Sequence, residues 1–384
     1  MAGLYIHIPF CKSRCIYCGF YSTTSRNMKD AYVAALCREM EMRLVLPVPE
    51  GDATIDTVYI GGGTPSQLTA EQLKKLFRQI ECVYTNKQKE KPREITLECN
   101  PDDITDDFCD ILRQLPVNRI SMGAQTFDNR RLRFLHRRHH AEDVAKAVER
   151  LRQAGIANIS IDLMFGFPDE SLQEWRQDIK EAIALGVEHI SAYSLMYEEG
   201  TPLYRLLESS QVKETDEETY RQMYETLIDR LTEAGYEHYE ISNFAKAGYR
   251  SAHNSSYWQD VPYIGIGAAA HSYTKGAKTT RSWNIADIGQ YTESIDKGIL
   301  PAETEVLDTR TRYNDLLTTA LRTCDGIDLA KLKSYFGEDY FRETINEADK
   351  HIRRGTMQIK EGRLSLTRNG LYISDDIMSD FMMV

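Results

Sequence analysis

The sequence predicts an α/β chain built as an incomplete (β/α)6 parallel barrel, followed by a small, mostly helical C-terminal domain. Three observations carry that prediction. Apolar runs bounded by turn residues alternate with stretches of helical periodicity along most of the chain. The runs have the period or the apolar continuity of strands buried in a parallel sheet. After about residue 300 the alternation stops, and short helical segments follow one another closely. A doubly wound open sheet has the same alternation, and periodicity alone does not separate it from a barrel.

Taken in order, LYIHI (4–8) is the first strand and residues 28–44 the first helix. DTVYI (56–60) leads through GGGTP to a helix over 70–80, and EITLE (94–98) to one over 105–115. RISMG (119–123) precedes a helix over 141–153, and NISIDLMF (158–165) one over 171–185. HISAYSL (189–195) is followed by a helix over 217–233 and then by YEHYEIS. Six βα units result, which puts functional loops at the carboxyl ends of the strands. The expected division is a barrel over 1–245, a connecting segment over 246–304 and a C-terminal domain over 305–384. In that last part, helices over 310–322, 329–335 and 340–354 precede MQIKEGRLSLTRNGLYI, read as a hairpin turning at Glu361 and Gly362. Three helices and a wing-like hairpin suggest a DNA reader. Residues 305–384 carry 14 acidic against 12 Lys or Arg residues, however, so the electrostatic footprint is missing. A structural or partner-docking domain is the better reading.

Composition narrows the function classes. The chain has 384 residues, enough for a large core plus a smaller one. Its net charge of −11 argues against nucleic-acid partners, because phosphate binding rests on surplus Lys and Arg. No apolar run approaches the roughly 20 residues of a membrane span, which leaves only transient membrane association open. The stretch MAGLYIHIPF has no basic region followed by a signal-type apolar run, so a cytoplasmic location with reduced cysteines is expected. Cys37, Cys82, Cys99, Cys109 and Cys324 are scattered without pairing motifs.

The remaining three cysteines are not scattered. Cys11, Cys15 and Cys18 lie in one loop directly after the first strand, in CKSRCIYC. Three thiolates are soft, anionic ligands suited to iron, and a 4Fe-4S cluster so held keeps one iron open for a non-protein ligand. The alternatives are a zinc site completed by a distant His or Cys, which needs four ligands, or three plain loop thiols. GGGTP (61–65) follows the second strand, where glycines let backbone approach a ligand and exposed N–H groups bind a carboxylate. It does not match the GxGxxG dinucleotide fingerprint. A tight turn is the plainer alternative.

This CxxxCxxC loop after a first barrel strand resembles the hallmark of the radical S-adenosylmethionine superfamily. The resemblance implies that the methionyl amine and carboxylate of S-adenosylmethionine chelate the open iron. A narrower resemblance, to the oxygen-independent coproporphyrinogen III oxidase group, rests on YIHIPFC, GGGTPS, LECNP, SMGAQTF and IDLMFGFP. It implies that Tyr5, Gly62 and Glu98 surround the cluster-bound cofactor, with the Glu98 carboxylate accepting from both ribose hydroxyls. It further implies that Tyr17, Gly63, Thr64, Gln125, Arg137 and Asp162 hold a second S-adenosylmethionine. Each has a plainer reading, with Glu98 and Asp162 as strand-end caps and Arg137 as part of a solvated basic run. That run, RRLRFLHRRHH, is either a surface face or a partner for porphyrin propionates.

One departure redirects the reading. The decarboxylating enzymes of that group have CxxxCxxCxC, and this chain has Phe20 at the fourth cysteine position. HNSSYW (253–258) in turn is similar to the HNxxYW motif of the related HemW heme chaperones. That resemblance implies a 4Fe-4S cluster, S-adenosylmethionine and heme as cofactors, and heme-accepting respiratory proteins as partners. His253 is the implied imidazole for heme iron, with Tyr257 and Trp258 as flat faces for the porphyrin. His7 and His271 are outside the motif, and a His beside aromatics is more often structural. The alternatives are a coproporphyrinogen III dehydrogenase and a radical methyltransferase of similar architecture. No catalytic residue is assigned.

Overall fold

The computed structural model of the chain describes residues 2–25, 27–44, 54–85, 88 and 90–383. The first strand, β1 (Ala2–Ile8), is buried at all but one position, as a strand covered on both faces must be. It leads through the cysteine loop to α1 (Lys29–Leu44). The same step repeats through β2 (Ile55–Gly62), α2 (Ala70–Ile80), β3 (Glu94–Cys99) and α3 (Asp106–Leu112). It continues with β4 (Arg119–Gln125), α4 (Asn129–Phe134), α5 (Ala141–Gln153), β5 (Asn158–Phe165) and α6 (Leu172–Ala184). The last unit is β6 (His189–Ser194), α7 (Pro202–Glu208) and α8 (Glu217–Glu233).

Local chemistry sets several boundaries. Thr69 with Gln72 and Ser171 with Glu174 form capping boxes that satisfy the first amides of α2 and α6. Along α6, Trp175, Asp178, Ile179 and Ala182 are buried at helical spacing, so one face of the helix covers the sheet.

Strands β1 to β6 are parallel and lie side by side in chain order. A doubly wound sheet reverses its strand order at a switch point, so this order decides for the incomplete barrel. The sheet also continues past both ends of that set. At one side β6 is joined antiparallel by the hairpin of β7 (Glu237–Glu240) and β8 (Asn243–Ala245).

The other side corrects the expectation for residues 246–304. After α9 (Ala252–Trp258), β9 (Tyr263–Ile266) pairs parallel with the free edge of β1, Gly3 opposite Tyr263 and Ile6 opposite Ile266. Antiparallel strands β10 (His271–Thr274), β11 (Thr280–Asn284) and, after α10 (Ile288–Asp296), β12 (Ala302–Val306) complete a twelve-stranded sheet. Far from a connector, the segment carries three strands of the main sheet and the start of a fourth. Its four- and five-residue strands hold Gly265 and alternate weakly, so they gave little periodic signal.

The three expected C-terminal helices are α11 (Thr309–Ala320), α12 (Leu329–Phe336), preceded by the short β13 (Ile327–Asp328), and α13 (Glu338–Arg353). The hairpin of β14 (Met357–Lys360) and β15 (Arg363–Leu366) turns at Glu361 and Gly362, both with positive φ as a tight hairpin turn requires. It ends sooner than expected. Beyond Leu366 the alternation stops, and α14 (Arg368–Leu371) and α15 (Ser374–Asp380) follow. Tyr313, Leu317, Leu332, Leu364 and Phe381 build a second apolar core here, apart from the large one around the barrel.

Candidate functional site

The carboxyl ends of β1 to β6 open into one cavity of about 640 Å³, within the range of small-molecule sites. Its wall includes Cys11, Cys15, Tyr17, Cys18, Gly62, Gly63, Thr64, Glu98, Gln125, Arg137 and Asp162. Eleven of the thirteen residues singled out from sequence therefore meet in a single hollow. Tyr5 and His253 do not line it.

The thiol side comes first. The Cys11 sulfur accepts from the Thr64 hydroxyl at 3.7 Å, and the Cys15 sulfur from Arg137 Nη1 at 3.6 Å. Burial pushes the Cys11 and Cys18 thiols up, so without a cation they keep their protons, and a metal that binds them must displace those protons. A single tetrahedral zinc with sulfur ligands at about 2.3 Å would hold them about 3.8 Å apart. The three sulfurs are not all within 4.8 Å of one another, and no His, Asp or Glu completes such a set among the described residues. Three thiols lining one cavity suit a 4Fe-4S cluster that keeps a fourth iron free. They fit a lone zinc poorly.

The glycine loop corrects a detail of the sequence reading. Gly62 adopts φ +105°, and a Cβ there would meet the His7 ring at 2.4 Å, so glycine is required on both counts. Its N–H groups are not exposed for a ligand, however. The Gly62 amide donates to Glu98 Oε2 at 3.0 Å, Gly63 to the Ile8 carbonyl at 2.9 Å and Thr64 to the Phe10 carbonyl at 2.9 Å. The loop is folded back onto the end of β1 and the residues just after it, while Glu98 of β3 takes the first amide. What it offers a ligand is close backbone approach.

Glu98 closes the floor, accepting from the Tyr59 hydroxyl at 2.7 Å on its other oxygen. Burial pushes its carboxyl up to about 7, against the pull of those two hydrogen bonds. Asp162 is likewise raised to about 6 by burial, opposed by Arg119. On β4, Gln125 has φ +69° at a bulge, which re-aims its side chain into the cavity. Arg137 donates to the Gly123 carbonyl and the Cys15 sulfur, while its Nε has no partner. A buried guanidinium with a spare donor in a cavity suits an anionic ligand. Beside it, burial holds the Tyr17 phenol up, so it stays protonated.

The basic run RRLRFLHRRHH is split between two faces: Arg130, Arg133, His136 and His140 are exposed, while Arg131, Leu132, Leu135 and His139 turn inward. Arg131 pairs with Glu170 and Glu174, Arg138 with Asp102 and Asp103, and His139 contacts the Ala124 carbonyl at 3.1 Å. Leu132 and Leu135 are core residues.

Tyr5 sits behind the floor. Its hydroxyl meets His7 Nδ1 at 2.9 Å and its ring stacks on Tyr59. His253 departs most from its expected role. It is buried on α9, against β2, with Nδ1 2.8 Å from the Thr57 hydroxyl and Nε2 2.8 Å from the Tyr257 hydroxyl. Its ring stacks on Tyr59, and burial with Arg119 nearby pushes it down to about 3. Both nitrogens are engaged, so in this arrangement the imidazole offers no electron pair to an iron. Tyr257 packs edge-on against His253 and Tyr263, and Trp258 lies under Arg322. The motif helix braces the underside of the floor. Of the other two histidines, His7 lies beneath Gly62 with both nitrogens in contact, and His271 sits on β10 beside Trp283.

Sequence reasoning missed Arg119, Tyr59 and the rim. Arg119 is almost fully buried under Glu98 and Asp162. Its signal was a charge opening a strand otherwise read as buried. At the mouth, Phe20, Tyr193 and Met196 are 72%, 42% and 68% exposed, and all three line the cavity. Arg14 stands beside them on the cysteine loop.

The radical SAM superfamily model matches residues 5–182, and the HemN C-terminal domain model residues 307–373. The chain is 34% identical to "Heme chaperone HemW" of Bacillus subtilis, covering 100% of this chain and 99% of that one. It is 32% identical to the protein of that name from Lactococcus lactis, covering 99% and 97%. The solved coproporphyrinogen III oxidase (HemN) from Escherichia coli superposes with a TM-score of 0.83 over 99% of this chain and 89% of that one. At 22% identity that likeness speaks for the fold alone.

Proposed function

The chain belongs to the HemW family of heme chaperones within the radical SAM superfamily, and from that premise we propose that it binds heme at the mouth of its barrel and passes it to heme-requiring respiratory proteins. The observation that carries the location is the apolar rim. Large apolar side chains left in water around a cavity mark a binding surface, and a porphyrin needs flat apolar contact on its faces with its propionates kept wet. Phe20 and Tyr193 offer ring faces, Met196 a thioether of the kind that ligates heme iron, and Arg14 a cation for a propionate.

Beneath that rim, Cys11, Cys15 and Cys18 would hold the 4Fe-4S cluster, with Gly62 and Glu98 beside the S-adenosylmethionine on its open iron. When bound and reduced, the cluster supplies the electron that cleaves the cofactor's sulfonium. Tyr5 and His253 fix the tilt of Tyr59, which in turn holds Glu98. Thr64, Gly63, Tyr17, Gln125, Arg137 and Asp162 give the cavity room and polar contacts for a second cofactor molecule. Phe20 at the fourth cysteine position argues against coproporphyrinogen dehydrogenation, and the curated relatives named above are heme chaperones rather than methyltransferases. A cytoplasmic location fits the described residues, in which no helix is long and apolar enough to cross a membrane.

Heme titration of the anaerobically reconstituted protein, followed by absorption, tests the reading. Saturable binding near one heme per chain is expected, weakened in the Phe20→Ala, Met196→Ala double variant. Unsaturable partitioning, equal for both proteins, would sink it.

A further inference from the structure

A second group of ligand-type side chains lies in the C-terminal core, away from the barrel. Glu347 and His351 are one helical turn apart on α13, and Asp380 is the last residue of α15. One ligand atom from each falls within 4.8 Å of the others. His351 Nε2 is 3.3 Å from Asp380 Oδ2 and 3.8 Å from Glu347 Oε1. We propose that these three residues bind a divalent transition-metal ion, zinc by preference, which fastens the last helix to α13.

The simpler reading is a histidine–carboxylate ion pair, and the geometry disfavours it. His351 is 3% exposed, yet its Nε2 is buried without a hydrogen-bond partner, although two carboxylates lie nearby. The nitrogen and the oxygens are near in distance but poorly aligned for an N–H to donate. A shared cation removes that conflict, because every ligand then points its lone pair at the metal. For nitrogen and oxygen ligands at about 2.0–2.1 Å in a tetrahedral site, neighbouring ligand atoms are about 3.4 Å apart, close to what is found. The ring is also held in place. Its other face of contacts is the Thr356 hydroxyl at 3.5 Å from Nδ1 and the Phe381 ring stacked at 5.8 Å.

Donor type selects the ion. One imidazole with two carboxylates suits zinc and its neighbours better than magnesium or calcium, which prefer all-oxygen sets. Lys350 takes Glu347 Oε2 at 2.5 Å and leaves Oε1 for the metal. The Asp380 side chain is half exposed, which gives the ion a way in and a place for water as fourth ligand.

The test uses the full-length Cys11→Ala, Cys15→Ala, Cys18→Ala variant, so that bound zinc cannot reside on the thiols. After incubation with zinc chloride and gel filtration, one zinc per chain is expected, with a raised Tm. In the same background, His351→Gln and the surface-side Asp380→Asn should each lower retained zinc at least tenfold with unchanged far-ultraviolet circular dichroism. A zinc count on cluster-loaded native protein, whose cysteines are occupied, repeats the measurement should the triple variant fold poorly. No retained zinc in either protein, or full retention in both single variants, overturns the proposal.

Discussion

At the scale of single residues, the chemistry of the cavity depends on where protons and electron pairs sit. If the three loop sulfurs hold the cluster, the Cys11→Ala, Cys15→Ala, Cys18→Ala variant should purify anaerobically without iron or acid-labile sulfide. Retention of four irons per chain would refute the assignment. Glu98 makes a second, sharper claim. Its folded carboxyl titrates near 7 rather than 4.5, because burial disfavours its charge. Between those values the folded chain holds a proton that the unfolded chain has released, so this group lowers stability as pH rises. The loss begins near pH 4.5 and is complete above about 7. Ligand-free Glu98→Gln protein should therefore gain in Tm relative to the parent between pH 5 and 8, and parallel Tm curves would contradict the buried carboxyl. These residues were legible as types at strand ends. Their partners were not: no pattern in GGGTP announces that its amides are already taken by Glu98, Ile8 and Phe10.

At the scale of elements, the instructive case is α9. HNSSYW reads as a ligand motif only through its likeness to the HNxxYW motif, and the sequence does not say which way the helix faces. In the fold that helix turns His253 inward onto Thr57 and Tyr59. His253→Ala would leave two buried hydroxyls unpaired and a small void, at a cost of about 2–4 kcal/mol. The expected result is a lower Tm and weaker S-adenosylmethionine binding, with the position of the heme absorption bands unchanged. A shift of those bands, with stability intact, would restore His253 as an axial ligand. The six barrel strands were legible because each has the period or the apolar continuity of a buried strand and is followed by a helical pattern. Strands β9 to β12 were not, since they are short, alternate weakly and, in the case of β9, pair with a strand far away in sequence.

At the scale of the whole molecule, an open parallel barrel gathers groups from six strand ends at one mouth, and the C-terminal core closes one flank through Arg322 on Glu240 at 2.9 Å. The proposed second cofactor molecule would use the polar lining of the cavity, while Phe20 stands where the decarboxylating enzymes have a metal-ligating sulfur and offers only bulk and a ring face. Reduced, cluster-loaded protein given S-adenosylmethionine and coproporphyrinogen III should form no protoporphyrinogen IX, and multiple turnovers would return the chain to the dehydrogenases. On the proposed function, heme bound at the rim is cargo. Heme-loaded, cluster-containing protein should be mixed with an excess of a respiratory apo-protein that needs heme, and the two separated and read by absorption. Transfer is expected to be near complete and faster than from free heme or from loaded Phe20→Ala, Met196→Ala protein. Heme that stays on the chain, or leaves no faster than it reaches the acceptor from solution, would contradict the account.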